Sequence, residues 1–131
     1  MKPDTVLTFG PDAMTGHSDH AAVCAWTTAA FERAGKPAAR LLYATVSEEW
    51  ADEFVPVLAP FNVYEPGYPV VTPDADIALH FEVTDEPMEA KMNAVRAHSS
   101  QSGPLFDVFG EELGRAMLRH EFYRMGSQKS R

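Results

Sequence analysis

Two histidines and an aspartate, in the run His17-Ser18-Asp19-His20, form the densest group of reactive side chains in the sequence. Imidazoles three residues apart at the start of a helix can converge on one small volume, and the carboxylate of Asp19 can fix the tautomer of either ring. Gly16 lets the backbone approach a ligand closely. A zinc site needs three or four ligands, so the spacing alone also fits exposed polar residues at a helix start, where Asp19 complements the helix dipole.

A short strand and a helix must position this group. The β-branched run Thr5–Phe9 predicts a buried strand that ends in a turn at Gly10. The group follows the carboxyl end of that strand, where open α/β sheets place their ligands. Ser18 is predicted to cap a helix that runs from Asp19 to Ala34. The inward stripe of this helix is predicted to consist of Val23, Trp26 and Ala30.

The rest of the chain alternates between strand and helix patterns. This alternation predicts an α/β fold with a Rossmann-like parallel sheet and flanking helices. Prolines space out a long irregular segment, in which the aromatic-rich stretch from Phe61 to Tyr68 is a candidate for substrate contact. The predicted elements after the first helix are a strand over 40–46, a helix over 47–55, a strand over 76–84, a helix from Pro87 with apolar Met88, Met92 and Val95, a helix over 106–124 and a flexible tail over 126–131.

The composition is that of one acidic globular domain. Of the 131 residues 45% are hydrophobic, and eleven Lys and Arg against nineteen Asp and Glu give a net charge of −8. Such a surface repels phosphate backbones and anionic membranes, which argues against nucleic acid as a partner. The single cysteine, Cys24, excludes an internal disulfide and fits a reducing compartment. No apolar run approaches the ~20 residues of a membrane span and the start lacks a signal-peptide pattern, so a cytoplasmic protein is expected.

Residues 6–20 strongly resemble the second signature of the LmbE/PIG-L family of zinc-dependent de-N-acetylases. That signature is a strand followed by T-F-G-P-D-G-x-T-G-H-x-D-H and a helix. The sequence has Ala13 where glycine is usual and Ser18 where proline is frequent. A second family segment, K-x-x-A-x-x-A-H-x-S-Q, fits residues 91–101 at every specified position. The two motifs stand in the family's order, and the resemblance implies the family's fold.

The resemblance also implies a role for each matching residue. His20 would be a zinc ligand, and His17 would stabilise the oxyanion that develops when the acetamide carbonyl is attacked. Asp19 would orient or tune His17. Residues that would support the loop or contact the substrate are Thr15, Gly16, His98, Ser100 and Gln101. The implied reaction removes the N-acetyl group from an N-acetylglucosamine-type compound, a small N-acetylated sugar or glycoside, with zinc as the cofactor.

One family signature has no counterpart in the sequence. The stretch A-H-P-D-D-E would supply the other zinc ligands and the general base, and it is absent. The sequence therefore predicts a single partial domain over residues 1–125, equivalent to the C-terminal half of the LmbE-like fold. Because one imidazole gives no tight zinc site, the isolated chain is expected to bind zinc weakly and to have negligible deacetylase activity. An unpaired edge at Val6–Phe9 favours pairing with a complementing N-terminal segment or a second copy of the chain.

Two functional hypotheses from different classes remain. In the first, the chain is part of a zinc-dependent N-deacetylase that acts on a linear amide. In the alternative, it is a non-catalytic remnant that serves as a binding or dimerising module, using the exposed strand edge and the loop at His17. His80 and His120 are interpreted as structural histidines.

Overall fold

The computed structural model describes residues 3–129, without the side chains of residues 101–105. The strands in this range are Thr5–Phe9 (β1), Arg40–Thr45 (β2), Ile77–Glu82 (β3) and His120–Gln128 (β4). The helices are Ser18–Ala34 (α1), Glu48–Leu58 (α2), Asp85–Ala97 (α3) and Ser99–Leu118 (α4), and α4 is interrupted by non-helical backbone at Gly110. None of these helices combines the length and the apolar content that a membrane crossing requires.

The strands form an open sheet in the order β1-β2-β4-β3, which confirms the α/β class and corrects the predicted parallel arrangement. β1 runs parallel to β2, with Val6 opposite Leu41, but β4 runs antiparallel to β2, with Arg124 opposite Tyr43. β4 occupies residues that the sequence assigned to the end of the last helix and the start of the tail. A local pattern cannot reveal the pairing with β2, which supplies the ladder hydrogen bonds to these residues. Residues 130–131 of the predicted tail lie outside the described range.

Helix α1 covers one face of the sheet with residues other than those predicted. Its buried side chains are Cys24 and Phe31, whereas Trp26 is 72% exposed and Val23 is exposed as well. Phe31 packs in a core cluster with Ala39 and Leu41. Helical spacing shows that an apolar stripe exists but not whether another element covers it, which is why the predicted stripe is wrong.

The N-cap predicted for α1 is wrong, whereas the N-cap predicted for α2 is confirmed. The N-cap of α1 is His17, without a side-chain cap bond, rather than Ser18. At α2 the prediction is confirmed, because the Ser47 hydroxyl accepts a hydrogen bond from the Trp50 amide at 3.2 Å. The loop before α1 is fixed by other contacts, described below, and so does not need a serine cap.

The described residues divide into two compact units. The first unit takes the residues up to His80 together with those from Phe122 onward, and it contains the motif at His17–His20. The second unit is Phe81–Glu121, with a separate core of Val83, Met88 and Met92. The two family-like motifs therefore belong to different units.

Candidate metal and catalytic site

The candidate site is the motif loop, residues 10–17, which joins the carboxyl end of β1 to the first turn of α1. This is the position at which α/β sheets place their ligands. The first unit brings Thr15, Gly16, His17 and His20 together here, as the contacts below show.

The imidazole of His20 is held from its edge and from its face. Its Nδ1 lies 2.8 Å from the Thr15 hydroxyl and 3.1 Å from the Ala13 carbonyl oxygen. The ring stacks on Phe9 with centroids 3.9 Å apart and planes 5° from parallel. The Thr15 hydroxyl can donate or accept, but a carbonyl can only accept, so the contact with Ala13 assigns the proton of the neutral ring to Nδ1 and the lone pair to Nε2. Histidines that ligate metals commonly donate their other N–H to a backbone carbonyl in this way.

The turn that presents the Ala13 carbonyl has an uncommon backbone. Ala13 and Met14 both adopt left-handed conformations, with φ of 60° and 58°. Each costs an L-residue with a side chain on the order of 1–2 kcal/mol. The turn is held by hydrogen bonds from the Ala13 amide to the Gly10 carbonyl at 2.8 Å and from the Met14 amide to Asp12 Oδ1 at 3.1 Å. The glycine usual at position 13 in the resembling signature suits this conformation better than the alanine present here.

The imidazole of His17 stands beside that of His20 and next to a carboxylate from another segment. The two rings lie 5.8 Å apart, edge to face. His17 Nδ1 lies 3.4 Å from Glu65 Oε1, so the two side chains form an ion pair when the ring is protonated. No role was predicted for the Glu65 carboxylate, although this residue lies in the stretch from Phe61 to Tyr68 that was a candidate for substrate contact. No local pattern links Glu65 to His17, because the contact is formed only by the tertiary fold.

Gly16 allows the segment around Glu65 to pack against the motif loop. Its φ is +87°, and a Cβ at this position would lie 2.7 Å from Glu65 Cβ and 2.8 Å from ring carbons of Tyr68. The Glu65 amide donates to the Thr15 carbonyl at 2.9 Å. Burial raises the pKa of Tyr64, the residue before Glu65, to about 12. Both the space and the conformation at position 16 therefore require glycine.

Asp19 lies in the first turn of α1 with an exposed side chain. Its Oδ1 accepts a hydrogen bond from the His20 amide at 2.9 Å. A carboxylate in the first turn also complements the helix dipole. Its observed contact is thus with the backbone of His20, while Glu65 supplies a carboxylate beside the His17 ring.

The candidate residues of the second motif lie in the second unit. His98 caps the end of α3, and its amide donates to the Val95 carbonyl at 3.0 Å. Ser100 is exposed in the first turn of α4, and the side chain of Gln101 lies outside the described part. His98, Ser100 and Gln101 thus belong to a different unit from His17 and His20.

The described residues do not complete a zinc site. Across residues 3–129, apart from the side chains of 101–105, no group of three or more His, Cys, Asp or Glu side chains is arranged to hold a metal ion. Catalytic zinc normally takes three protein ligands. The described residues therefore do not supply the ligand set of such a site.

Comparison with known proteins gives three curated relatives and no matching family model. Each relative is named 1D-myo-inositol 2-acetamido-2-deoxy-alpha-D-glucopyranoside deacetylase. The relative from Saccharomonospora viridis is 34% identical over 77% of this chain and 39% of its own length. The relative from Rhodococcus jostii is 33% identical with the same coverage, and that from Actinosynnema mirum is 34% identical over 97% of this chain and 48% of its own length. The chain thus spans less than half the length of these relatives.

Proposed function

Because this chain belongs to the LmbE/PIG-L family, we propose that it forms part of a zinc-dependent hydrolase that removes the N-acetyl group from an N-acetylglucosamine-type glycoside. The names of the relatives support this reaction and substrate class. The observation that carries the proposal is the position of His20 Nδ1, 3.1 Å from the Ala13 carbonyl oxygen and 2.8 Å from the Thr15 hydroxyl, which is the arrangement that leaves Nε2 for a metal.

In this proposal His20 is one ligand of the metal, and the remaining ligands come from outside the described residues. The remaining ligands are placed outside because the described residues contain no group of three His, Cys, Asp or Glu side chains that could hold a metal ion. The chain by itself is then expected to bind zinc weakly and to have negligible deacetylase activity. Thr15 fixes the ring of His20 through its hydroxyl, which is the loop-support role that we propose for it.

We assign His17 as the donor that stabilises the oxyanion of the attacked acetamide. Its ring lies next to that of His20, and its Nδ1 lies 3.4 Å from the Glu65 carboxylate, which pairs with the ring when the ring is protonated. A well-placed donor of this kind contributes about 3–4 kcal/mol to transition-state stabilisation. A role for Asp19 in orienting or tuning His17 stays part of the proposal, although its observed contact is with the His20 amide and the carboxylate found beside the His17 ring is that of Glu65.

We propose a complementing polypeptide segment as the partner of the chain. β1 is an edge strand of the described sheet, and the apolar side chain of its Leu7 is 49% exposed. An added strand would pair with the free edge and cover this apolar surface. A strand parallel to β1 would also end at the same sheet edge as His20.

Zinc titration of the metal-stripped chain tests the role of His20. We expect the imidazole nitrogen resonances of His20 to respond at Nε2, with a dissociation constant weaker than micromolar because the ligand set is incomplete. His20→Ala should abolish the response at this site. His80→Gln is the matched control, because His80 is also a stacked histidine of the first unit, 4.5 Å from Phe122, and we expect it to leave the His20 response unchanged.

Two outcomes contradict the proposal in different ways. A His20 resonance that does not respond to zinc removes this residue from the ligand set. Sub-micromolar affinity with a stoichiometry near one shows instead that the chain alone supplies a complete site.

A further inference from the structure

Arg124 reaches from the middle of the sheet to the motif loop. It lies on β4 opposite Tyr43 of β2, and its guanidinium carbon lies 5.7 Å from the centroid of the Tyr43 ring. Its Nη2 donates to Asp12 Oδ2 at 2.6 Å. The two side chains are largely shielded from water, at 28% and 13% exposure, which makes this charge-assisted bond stronger than an ordinary surface pair.

Gly10 makes room for this contact. A Cβ at position 10 would lie 2.8 Å from Arg124 Nη2 and 2.9 Å from Asp12 Oδ1. Any other residue would therefore displace the guanidinium or the carboxylate. The glycine of the motif serves the ion pair by leaving space, since its φ is not in the left-handed region.

Asp12 connects the guanidinium to the turn that holds His20. While Oδ2 accepts from Arg124, Oδ1 accepts from the Met14 amide at 3.1 Å. The neighbouring Ala13 carbonyl and Thr15 hydroxyl are the groups that contact His20 Nδ1. A continuous series of contacts thus runs from Arg124 through Asp12 and the left-handed turn to the imidazole.

We propose that Arg124 is a positioning residue that fixes the orientation and the tautomer of His20 through Asp12. With the carboxylate anchored, the turn keeps the Ala13 carbonyl against Nδ1, and Nε2 retains the lone pair. Without the anchor, the two left-handed residues are free to relax, and the carbonyl moves away from the ring. The inference rests on the proposed function for its purpose, since a fixed Nε2 matters only if His20 acts as a ligand.

Nitrogen NMR of the histidine-labelled 131-residue chain, without metal and at a pH where the ring is neutral, tests this role. We expect the wild type to show His20 in the Nδ1–H form. In Arg124→Met, which keeps the apolar stem and loses the guanidinium, we expect this single form to be lost and the Nε2–H form to appear. Arg124→Lys retains a cation for Asp12 and should restore part of the Nδ1–H population.

Arg115→Met is the matched control for a general loss of stability. Arg115 is 27% exposed, about as much as Arg124, and forms ion pairs at 2.6 Å with Glu89 and at 2.7 Å with Glu111, so the variant removes an arginine of similar exposure from the second unit. We expect it to leave the His20 tautomer as in the wild type. If Arg124→Met does not fold, Asp12→Asn takes its place, because the amide keeps an acceptor for Met14 and loses the ionic acceptor for Arg124.

Each result decides a separate question. An unchanged His20 tautomer in a folded Arg124→Met or Asp12→Asn chain overturns the positioning role and leaves the proposed function standing. The same change in Arg115→Met also overturns it, because the effect is then one of stability. A wild-type His20 in the expected tautomer that fails to respond to added zinc contradicts the proposed function and leaves the positioning role intact.

Discussion

The two family-like motifs use reactive residue types in different ways. In the first unit, His20 contacts Thr15 and the Ala13 carbonyl of the motif loop, and His17 lies beside Glu65 from another segment. In the second unit, the motif on α3 supplies core and bracing contacts. Its Met92 is fully buried, and its Lys91 donates to the Leu118 carbonyl at 2.7 Å and to Glu121 at 2.6 Å.

This difference shows that a matching motif indicates the family of a chain, whereas the role of each motif residue has to be inferred from the contacts that its side chain makes. Both motifs fit their signatures closely, yet the first builds a group of side chains suited to chemistry and the second joins α3 to α4. Variants in the two regions should therefore separate loss of stability from loss of the histidine environment.

The largest expected effect is that of Met92→Ala. The side chain is fully buried with Val83 and Met88, so its truncation should lower the free energy of unfolding by about 2–5 kcal/mol. Chemical denaturation measures this loss. Met125→Ala, at an exposed methionine, should cost much less. Equal losses for the two variants would contradict the assigned core.

Gly16→Ala should follow closely, with the difference that it also disturbs the histidines. The positive φ and the contacts at 2.7–2.8 Å with Glu65 and Tyr68 predict a loss of roughly 2–4 kcal/mol and a shift of the His17 resonances. Gly67→Ala is the control, since φ is +88° there but nothing lies within 4 Å of the added Cβ. If both variants lose the same stability, Glu65 does not pack against the motif loop as described.

Lys91→Met tests the bracing role of the second motif and should have a moderate effect. It removes the ammonium from Glu121 and the Leu118 carbonyl, at a cost of about 1 kcal/mol in thermal unfolding. Lys36→Met, which breaks an ion pair with highly exposed Asp4, should cost less. The zinc response of His20 should stay unchanged in Lys91→Met, and its loss would show that the second motif acts on the histidine site.

The smallest effect is a pH dependence in the second unit. Hydrogen bonds from Arg115, and then from Arg96, lower the pKa of Glu111 below its usual value. A lowered pKa in the folded state gives stability that is present above the pKa of the unfolded chain and is lost as pH falls through the folded value. The wild type should therefore melt at a higher temperature than Arg115→Met at neutral pH, and this difference in melting temperature should disappear in acid. A difference that widens in acid would contradict this assignment.

The sequence predicted those features that depend on local patterns. The strand at β1, the start of α2 at the Ser47 cap and the burial of Met88 and Met92 on α3 are confirmed, whereas the predicted burial of β1 is wrong because Leu7 is 49% exposed. Each confirmed feature follows from residue type and spacing within one element.

Features that depend on contacts between distant segments were missed. β4 was assigned to a helix because its pairing with β2 is invisible in the local sequence, and the stripe at Val23 and Trp26 was placed inward although these residues are exposed. At the site, the two histidines follow from the motif, whereas Glu65 and Arg124 come from a loop and a strand far along the chain. Their contacts exist only because the tertiary fold brings those segments to the end of β1.

The neutral-state tautomer of His20 in the unmodified chain is the most direct test of the site. Long-range proton–nitrogen correlation spectra report which ring nitrogen holds the proton. The contacts with Ala13 and Thr15 predict a protonated Nδ1 and a bare Nε2. A proton on Nε2 instead would leave no nitrogen oriented for a metal and would contradict the assignment of His20 as a ligand.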